Sequence, residues 1–189
     1  MLINHNKYTL NKGEVVGFET DTVWGLGCLP NDSEAVNKIY EIKGRDRTKP
    51  LILMGNSLES LMPYVLYVPD YAKTLMDKHF PGALTLIFQK SNLAQDFITS
   101  GKNTVGIRVP AHKEFQELCT KIDGNVLATT SLNHSSEPPV KDYDEACEKF
   151  SGKVTLIKPE TPINTGVSST VALCTGDKPV VLRQGNVRV

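Results

Sequence analysis

Four cations fall at every second position in Lys43-Gly44-Arg45-Asp46-Arg47-Thr48-Lys49. In an extended backbone alternate side chains share a face, so Lys43, Arg45, Arg47 and Lys49 would form one row. Such a row is the chemistry of a polyphosphate grip, with guanidinium forks and ammonium point charges. The same run also reads as a solvated loop, the usual setting of clustered charge. Other segments place hydroxyls, amides or a guanidinium beside strand patterns. Thr20-Asp21-Thr22-Val23-Trp24-Gly25-Leu26-Gly27 sets two threonines ahead of glycines that let backbone approach a bound group, or it is a capped turn. Arg108 lies in the apolar run Thr104-Val105-Gly106-Ile107-Arg108-Val109, either as an edge-strand surface charge or as a ligand-facing cation. Thr129-Thr130-Ser131-Leu132-Asn133 is a polar turn or a ligand shelf beyond a strand end. Ser168-Ser169-Thr170 and Arg183-Gln184-Gly185 repeat the theme. Together these residues suit one cleft of hydroxyls and guanidinium groups, without a strong general base. That cleft would bind a phosphorylated nucleotide and orient a second substrate.

The elements that must carry these residues follow from periodicity. Strands are expected at 14–19, 50–54, 84–89, 104–109, 126–130 and 154–157, and a hairpin is expected from 170–174 and 179–183 around Thr175–Lys178. Helices are expected at 33–43, with Val36, Ile39, Tyr40 and Lys43 on one face and Asp32 or Ser33 as cap, and at 57–62, 70–79 and 113–122. Asp142 and Glu145 form a capping-box pattern for a further helix. Interleaved strands and helices predict a single α/β domain, residues 3–189, on a twisted mixed parallel and antiparallel sheet.

Composition bounds the rest. The chain has 189 residues, and its 21 basic and 21 acidic residues give a net charge of zero. That excludes a general nucleic-acid coat and confines any anion site to a local cluster. The first seven residues lack the apolar core of a signal peptide, and no apolar run is long enough to span a bilayer, so a cytoplasmic protein is expected. Cys28, Cys119, Cys147 and Cys174 are scattered and read as buried apolar side chains. The phosphate loop of common nucleotide hydrolases, the serine-hydrolase elbow and a histidine metal motif are all absent, so no protein-held metal is expected.

TDTVWGLG, KGR with KPL, PGALT, TVGIRVP, TSLN, SSTV and LRQG stand in this order from about Glu14 to Gly185. This ordered set resembles the YrdC-like domain of threonylcarbamoyl-adenylate synthases, of the short single-domain type. The resemblance implies a mixed sheet with flanking helices around a deep cationic cleft. It implies a nucleotidyltransferase that makes threonylcarbamoyl-AMP and pyrophosphate from L-threonine, bicarbonate or carbon dioxide, and ATP with Mg2+. The product serves threonylcarbamoyladenosine modification of tRNAs reading ANN codons, through transient contact with transfer proteins. Carried over by motif, Lys43 and Arg45 are the catalytic phosphate cations. ATP would be bound by Lys43, Arg45, Lys49, Thr104, Ser131, Asn133 and Arg183, and threonine by Thr22, Arg108, Thr129 and Ser169. Glu19, Trp24, Met54, Leu132 and Pro139 depart from the family pattern and bear more on amino-acid recognition than on nucleotide binding. The alternatives are a YrdC-like RNA- or nucleotide-binding module without synthase activity, with weak RNA affinity, and a YciO-like paralogue with another substrate. Retention of the K-x-R pair favours the synthase branch.

Overall fold

The computed structural model describes residues 9–189. The domain start expected at residue 3 and the reading of the first seven residues lie outside them. In chain order the elements are β1 (Val16–Phe18), β2 (Gly25–Cys28), α1 (Ser33–Lys43), β3 (Ile52–Gly55), α2 (Leu58–Leu61), α3 (Asp70–His79), β4 (Leu84–Gln89), α4 (Asp96–Thr99), β5 (Thr104–Arg108), α5 (Lys113–Cys119), β6 (Val126–Ser131), α6 (Tyr143–Phe150), β7 (Thr155–Leu156), β8 (Thr170–Leu173) and β9 (Val180–Arg183). The strands form one sheet in the order β7-β1-β2-β6-β3-β5-β4-β8-β9. The β1–β7, β3–β5 and β4–β8 pairs are parallel and the others antiparallel, which is the mixed α/β sheet expected.

Side-chain alternation gives the two faces different work. Leu26, Leu53, Leu86, Ile107, Ala128 and Ala172 belong to a core that includes Ile39 and Tyr40 of α1, Met76 of α3 and Phe150 of α6. Full burial of each large apolar side chain stabilises the fold by roughly 1.5–3 kcal/mol. On the other face a smaller core joins Val16, Phe18, Met54 and Leu127 to Phe115, Leu118 and Cys119 of α5. What α5 leaves uncovered on that face is the floor of a cleft. Cys28, Cys119 and Cys174 are buried free thiols; burial pushes Cys28 up to about 12 and Cys174 up to about 11.

Local chemistry sets the boundaries that matter. Asp32 caps α1 by accepting from the Ala35 N–H at 3.0 Å, and its carboxylate also receives the Gly13 N–H. Gly44 ends the helix in the left-handed region (φ 57°), with its N–H on the Glu41 carbonyl. That turn corrects the extended reading of the cation run. Asp46 then accepts from Thr48 and Lys49 in a further turn, so Lys43, Arg45, Arg47 and Lys49 do not share a face. A second correction concerns Arg108: β5 lies between β3 and β4, so it is a central strand and not an edge. Strand β2 and helix α4 were not anticipated. The helix expected to reach residue 122 stops at Cys119, and the strand expected at 14–19 shortens to 16–18.

One connection shapes the cleft. Residues 157–169 carry the chain from β7, at one edge of the sheet, back across it to β8. This strap is pinned to carboxylates and carbonyls. Glu114 receives the Glu160 N–H at 3.0 Å, Glu19 receives the Ile163 N–H at 3.0 Å and the Asn164 amide, and the Thr22 carbonyl receives the Gly166 N–H at 2.8 Å. Glu19 is buried and also meets His112 Nε2 at 3.2 Å. Burial would raise its carboxyl, but His112, Asn164 and Ile163 outweigh that and hold it below the usual range.

Candidate functional site

The cleft on the open face has a volume of about 190 Å3. Its floor is built by strand alternation from β2, β6, β3, β5, β4 and β8. The register pairs Gly27 with Thr129, Thr129 with Ile52, Ile52 with Gly106 and Gly106 with Ile87, so these residues lie on one face together with Met54, Arg108 and Thr85, two residues along their strands. Gly25 also belongs to this face. A Cβ there would stand 2.6 Å from the Phe18 ring, so only glycine lets β1 and β2 pack beside the cleft. Among the described residues three guanidinium groups line the cleft, Arg45, Arg108 and Arg183, with hydroxyls that include those of Thr20, Thr22, Thr85, Thr129, Ser131 and Ser169, and no carboxylate lines it.

Arg108 is the best-held of the three. It is 2% exposed, and three of its five N–H donors are committed. Nε donates to the Gly82 carbonyl at 2.9 Å, Nη1 to Thr22 Oγ1 at 2.7 Å and Nη2 to Asp21 Oδ1 at 2.6 Å. Burial lowers its pKa, and the Asp21 carboxylate opposes that. A buried guanidinium so compensated is kept charged and aimed, with donors to spare for a ligand. Arg45 is anchored by its own loop, donating from Nε to the Lys49 carbonyl at 3.1 Å and from Nη2 to the Pro50 carbonyl at 2.9 Å. Arg183, on edge strand β9, donates from Nε to the Ser169 carbonyl at 3.0 Å and from Nη2 to Ser169 Oγ at 3.2 Å. Ser169 Oγ in turn lies 2.8 Å from Thr85 Oγ1.

Of the residues singled out in the sequence, Arg45, Ser131, Arg183, Thr22, Arg108, Thr129 and Ser169 come together in the cleft wall. The others are placed elsewhere. Lys43 is buried behind Ser131, its Nζ donating to the Ser131 carbonyl, to the Asn133 carbonyl at 2.9 Å and to Asn133 Oδ1 at 2.8 Å. Burial, with Arg45 nearby, pushes it down to about 7. Asn133 is occupied by Lys43 and by the Ser131 hydroxyl, which donates to its Oδ1 at 2.6 Å. Lys49 is exposed, and Thr104 sits opposite Gln89 at the far end of β5 from Arg108. Arg47 lies over the Tyr40 ring, 5.2 Å from its centre. The residues that sequence reasoning missed are Asp21, Gly82 and Thr85. All three stand inside quoted motifs, but nothing local says that they meet Arg108 or Ser169.

Comparison with known proteins adds findings of three kinds. A family model of the Sua5, YciO and YrdC proteins, described as "Telomere recombination", matches residues 8–185. The chain is 38% identical over 179 residues to a Bacillus subtilis protein named threonylcarbamoyl-AMP synthase, covering 94% of this chain and 51% of that one. It is 35% identical over 147 residues to the Pseudoalteromonas atlantica protein of the same name, covering 77% and 78%. Among solved structures, Pyrococcus abyssi Sua5 complexed with L-threonine superposes with a TM-score of 0.86 at 37% identity, over 92% of this chain and 51% of that one. The chain thus spans about half the length of the Bacillus and Pyrococcus relatives.

Proposed function

The chain belongs to the Sua5/YciO/YrdC family, and on that premise we propose that it is an L-threonylcarbamoyladenylate synthase. The observation that carries the reading is a cleft lined, among the described residues, by three guanidinium groups, many hydroxyls and no carboxylate. That inventory suits anions held and charge neutralised, and among the described residues its lining holds no carboxylate or imidazole to activate a hydroxyl as a nucleophile. The substrates are L-threonine, bicarbonate or carbon dioxide, and ATP. The α-amino nitrogen attacks the carbon of carbon dioxide and loses a proton, or condenses with bicarbonate and releases water. The resulting carbamate oxygen attacks the α-phosphorus; the bond to the β-phosphate oxygen breaks and pyrophosphate leaves with the electron pair. Arg108 holds the threonine carboxylate with its uncommitted donors, and Arg45 and Arg183 meet the growing charge on the leaving phosphates. Lys43 acts from behind, by holding Ser131 and Asn133 in place.

Among the described residues no group of three or more His, Cys, Asp or Glu could hold a metal. In this reading Mg2+ arrives on the ATP phosphates. Transfer of the product to tRNA by partner proteins belongs to the same reading. Among the described residues no helix is long and apolar enough to cross a membrane. The test is pyrophosphate release with ATP, Mg2+ and bicarbonate. The expected result is release that depends on L-threonine, with threonylcarbamoyl-AMP as co-product; release without threonine, or none, sinks the proposal.

A further inference from the structure

We propose that Thr20 and Asp21 are positioning residues that turn Thr22 and Arg108 into a one-way pair, Arg108 donating to the carboxylate of an α-amino acid and Thr22 accepting from its amino group. The inference rests on the reading of the cleft as an amino-acid site. It is carried by proton bookkeeping along one hydrogen-bonded chain. Arginine only donates, and a carbonyl only accepts. Arg108 Nη1 donates to Thr22 Oγ1 at 2.7 Å, and Thr20 Oγ1 donates to the Val23 carbonyl at 2.7 Å. The two hydroxyls lie 3.0 Å apart. Because Thr20 has spent its only proton on Val23, the bond between the hydroxyls must run from Thr22 to Thr20. Both lone pairs of Thr20 are then filled, the second by the Thr22 N–H at 3.2 Å.

Thr22 is left with a single lone pair and no proton. It cannot donate to a carboxylate, but it can accept from an ammonium or amine. Arg108 beside it has only donors left. Asp21 fixes the guanidinium without entering the cleft lining: its Oδ1 holds Nη2 at 2.6 Å. Gly82 supplies the third fixed point, through Nε. Two neighbouring groups of opposite hydrogen-bonding sense therefore face one ligand, and they match the two ends of an α-amino acid backbone. Accepting an N–H at Thr22 also orients the nitrogen that must be carbamoylated.

The test is equilibrium binding to the full chain by calorimetry, without ATP, of L-threonine and of 3-hydroxybutyrate, which lacks the α-amino group. In Thr20→Val the Thr22 proton is freed, so affinity for L-threonine falls about tenfold while that for 3-hydroxybutyrate is unchanged. Thr20→Ser restores the preference. Asp21→Ala weakens both ligands about tenfold or more, and Asp21→Asn, which keeps the oxygen on Nη2, retains most of both affinities. If Asp21→Ala does not fold, the Thr20 pair decides alone. Equal loss of both ligands in Thr20→Val, or no loss, overturns the proposal while leaving the synthase reading intact. A wild-type chain that binds neither ligand overturns both.

Discussion

At the scale of single residues, the lesson is that a cation's place in the sequence did not disclose its surroundings. Lys43 stands on the buried face of α1, as its 3.6-residue spacing required, and its three acceptors come from residues 131 and 133, some ninety positions away. Local pattern could place the side chain inward but not supply its partners. The same holds for Asp21, 87 residues from Arg108. The burial of Lys43 has a measurable sign. Its pKa is pushed down to about 7 from an ordinary 10.5. Between these values the unfolded chain binds more protons than the folded one, so this group makes stability rise with pH above 7, by up to about 1.4 kcal/mol per unit. The buried thiols pull the other way above about 8.5. Urea unfolding of wild type and Lys43→Met at pH 7 and pH 8.5 isolates the lysine: wild type gains on the variant as pH rises. A difference that is flat or falling with pH contradicts it.

At the scale of elements, legibility followed the strength of the local signal. Helix α1 was readable to its ends because a cap, an apolar stripe and a glycine stop agree. Strand β2 was not, because Gly25 and Gly27 have no strand propensity and owe their place to the Phe18 ring. Helix α4 is a single turn, too short to show a period. The β8–β9 hairpin was readable from its turn, but its role was not. Gly185, just past β9, donates its N–H to Thr170 Oγ1 at 2.9 Å. A Cβ at Gly185 would stand 2.6 Å from the Thr170 nitrogen and closer still to the Ser168 carbonyl. Both are backbone atoms and cannot swing aside, so Gly185→Ala must force apart the turn at Gly185 and the segment carrying Ser169. The expected outcome is a loss of about 1–3 kcal/mol in thermal or urea unfolding together with weaker L-threonine binding. An alanine variant with wild-type stability and binding would show that this approach is slack.

At the scale of the whole molecule, one sheet and the loops at its strand ends bear the site, and the fold class was legible because strands and helices alternate. The cleft was legible only as a set of residue types. Its geometry depends on strand order, which brings β5 between β3 and β4 and which no local pattern reports. The strap from 157 to 169 has a consequence of another kind. It divides the cleft between two stretches of chain: Thr22, Arg45 and Arg108 precede it, whereas Ser169 ends it and Arg183 follows. Thr161–Ile163 are exposed, as is Glu160. A glutamate-specific protease cutting at Glu160 would leave a nicked protein whose C-terminal piece carries β8 and β9, held by β4, by the strap's bonds to Glu19 and Thr22 and by whatever spans the cleft. L-threonine and ATP would then act as mortar, and the rate at which the piece dissociates in size-exclusion chromatography should fall as either ligand is added. A rate blind to both would mean that substrate does not bridge the two halves.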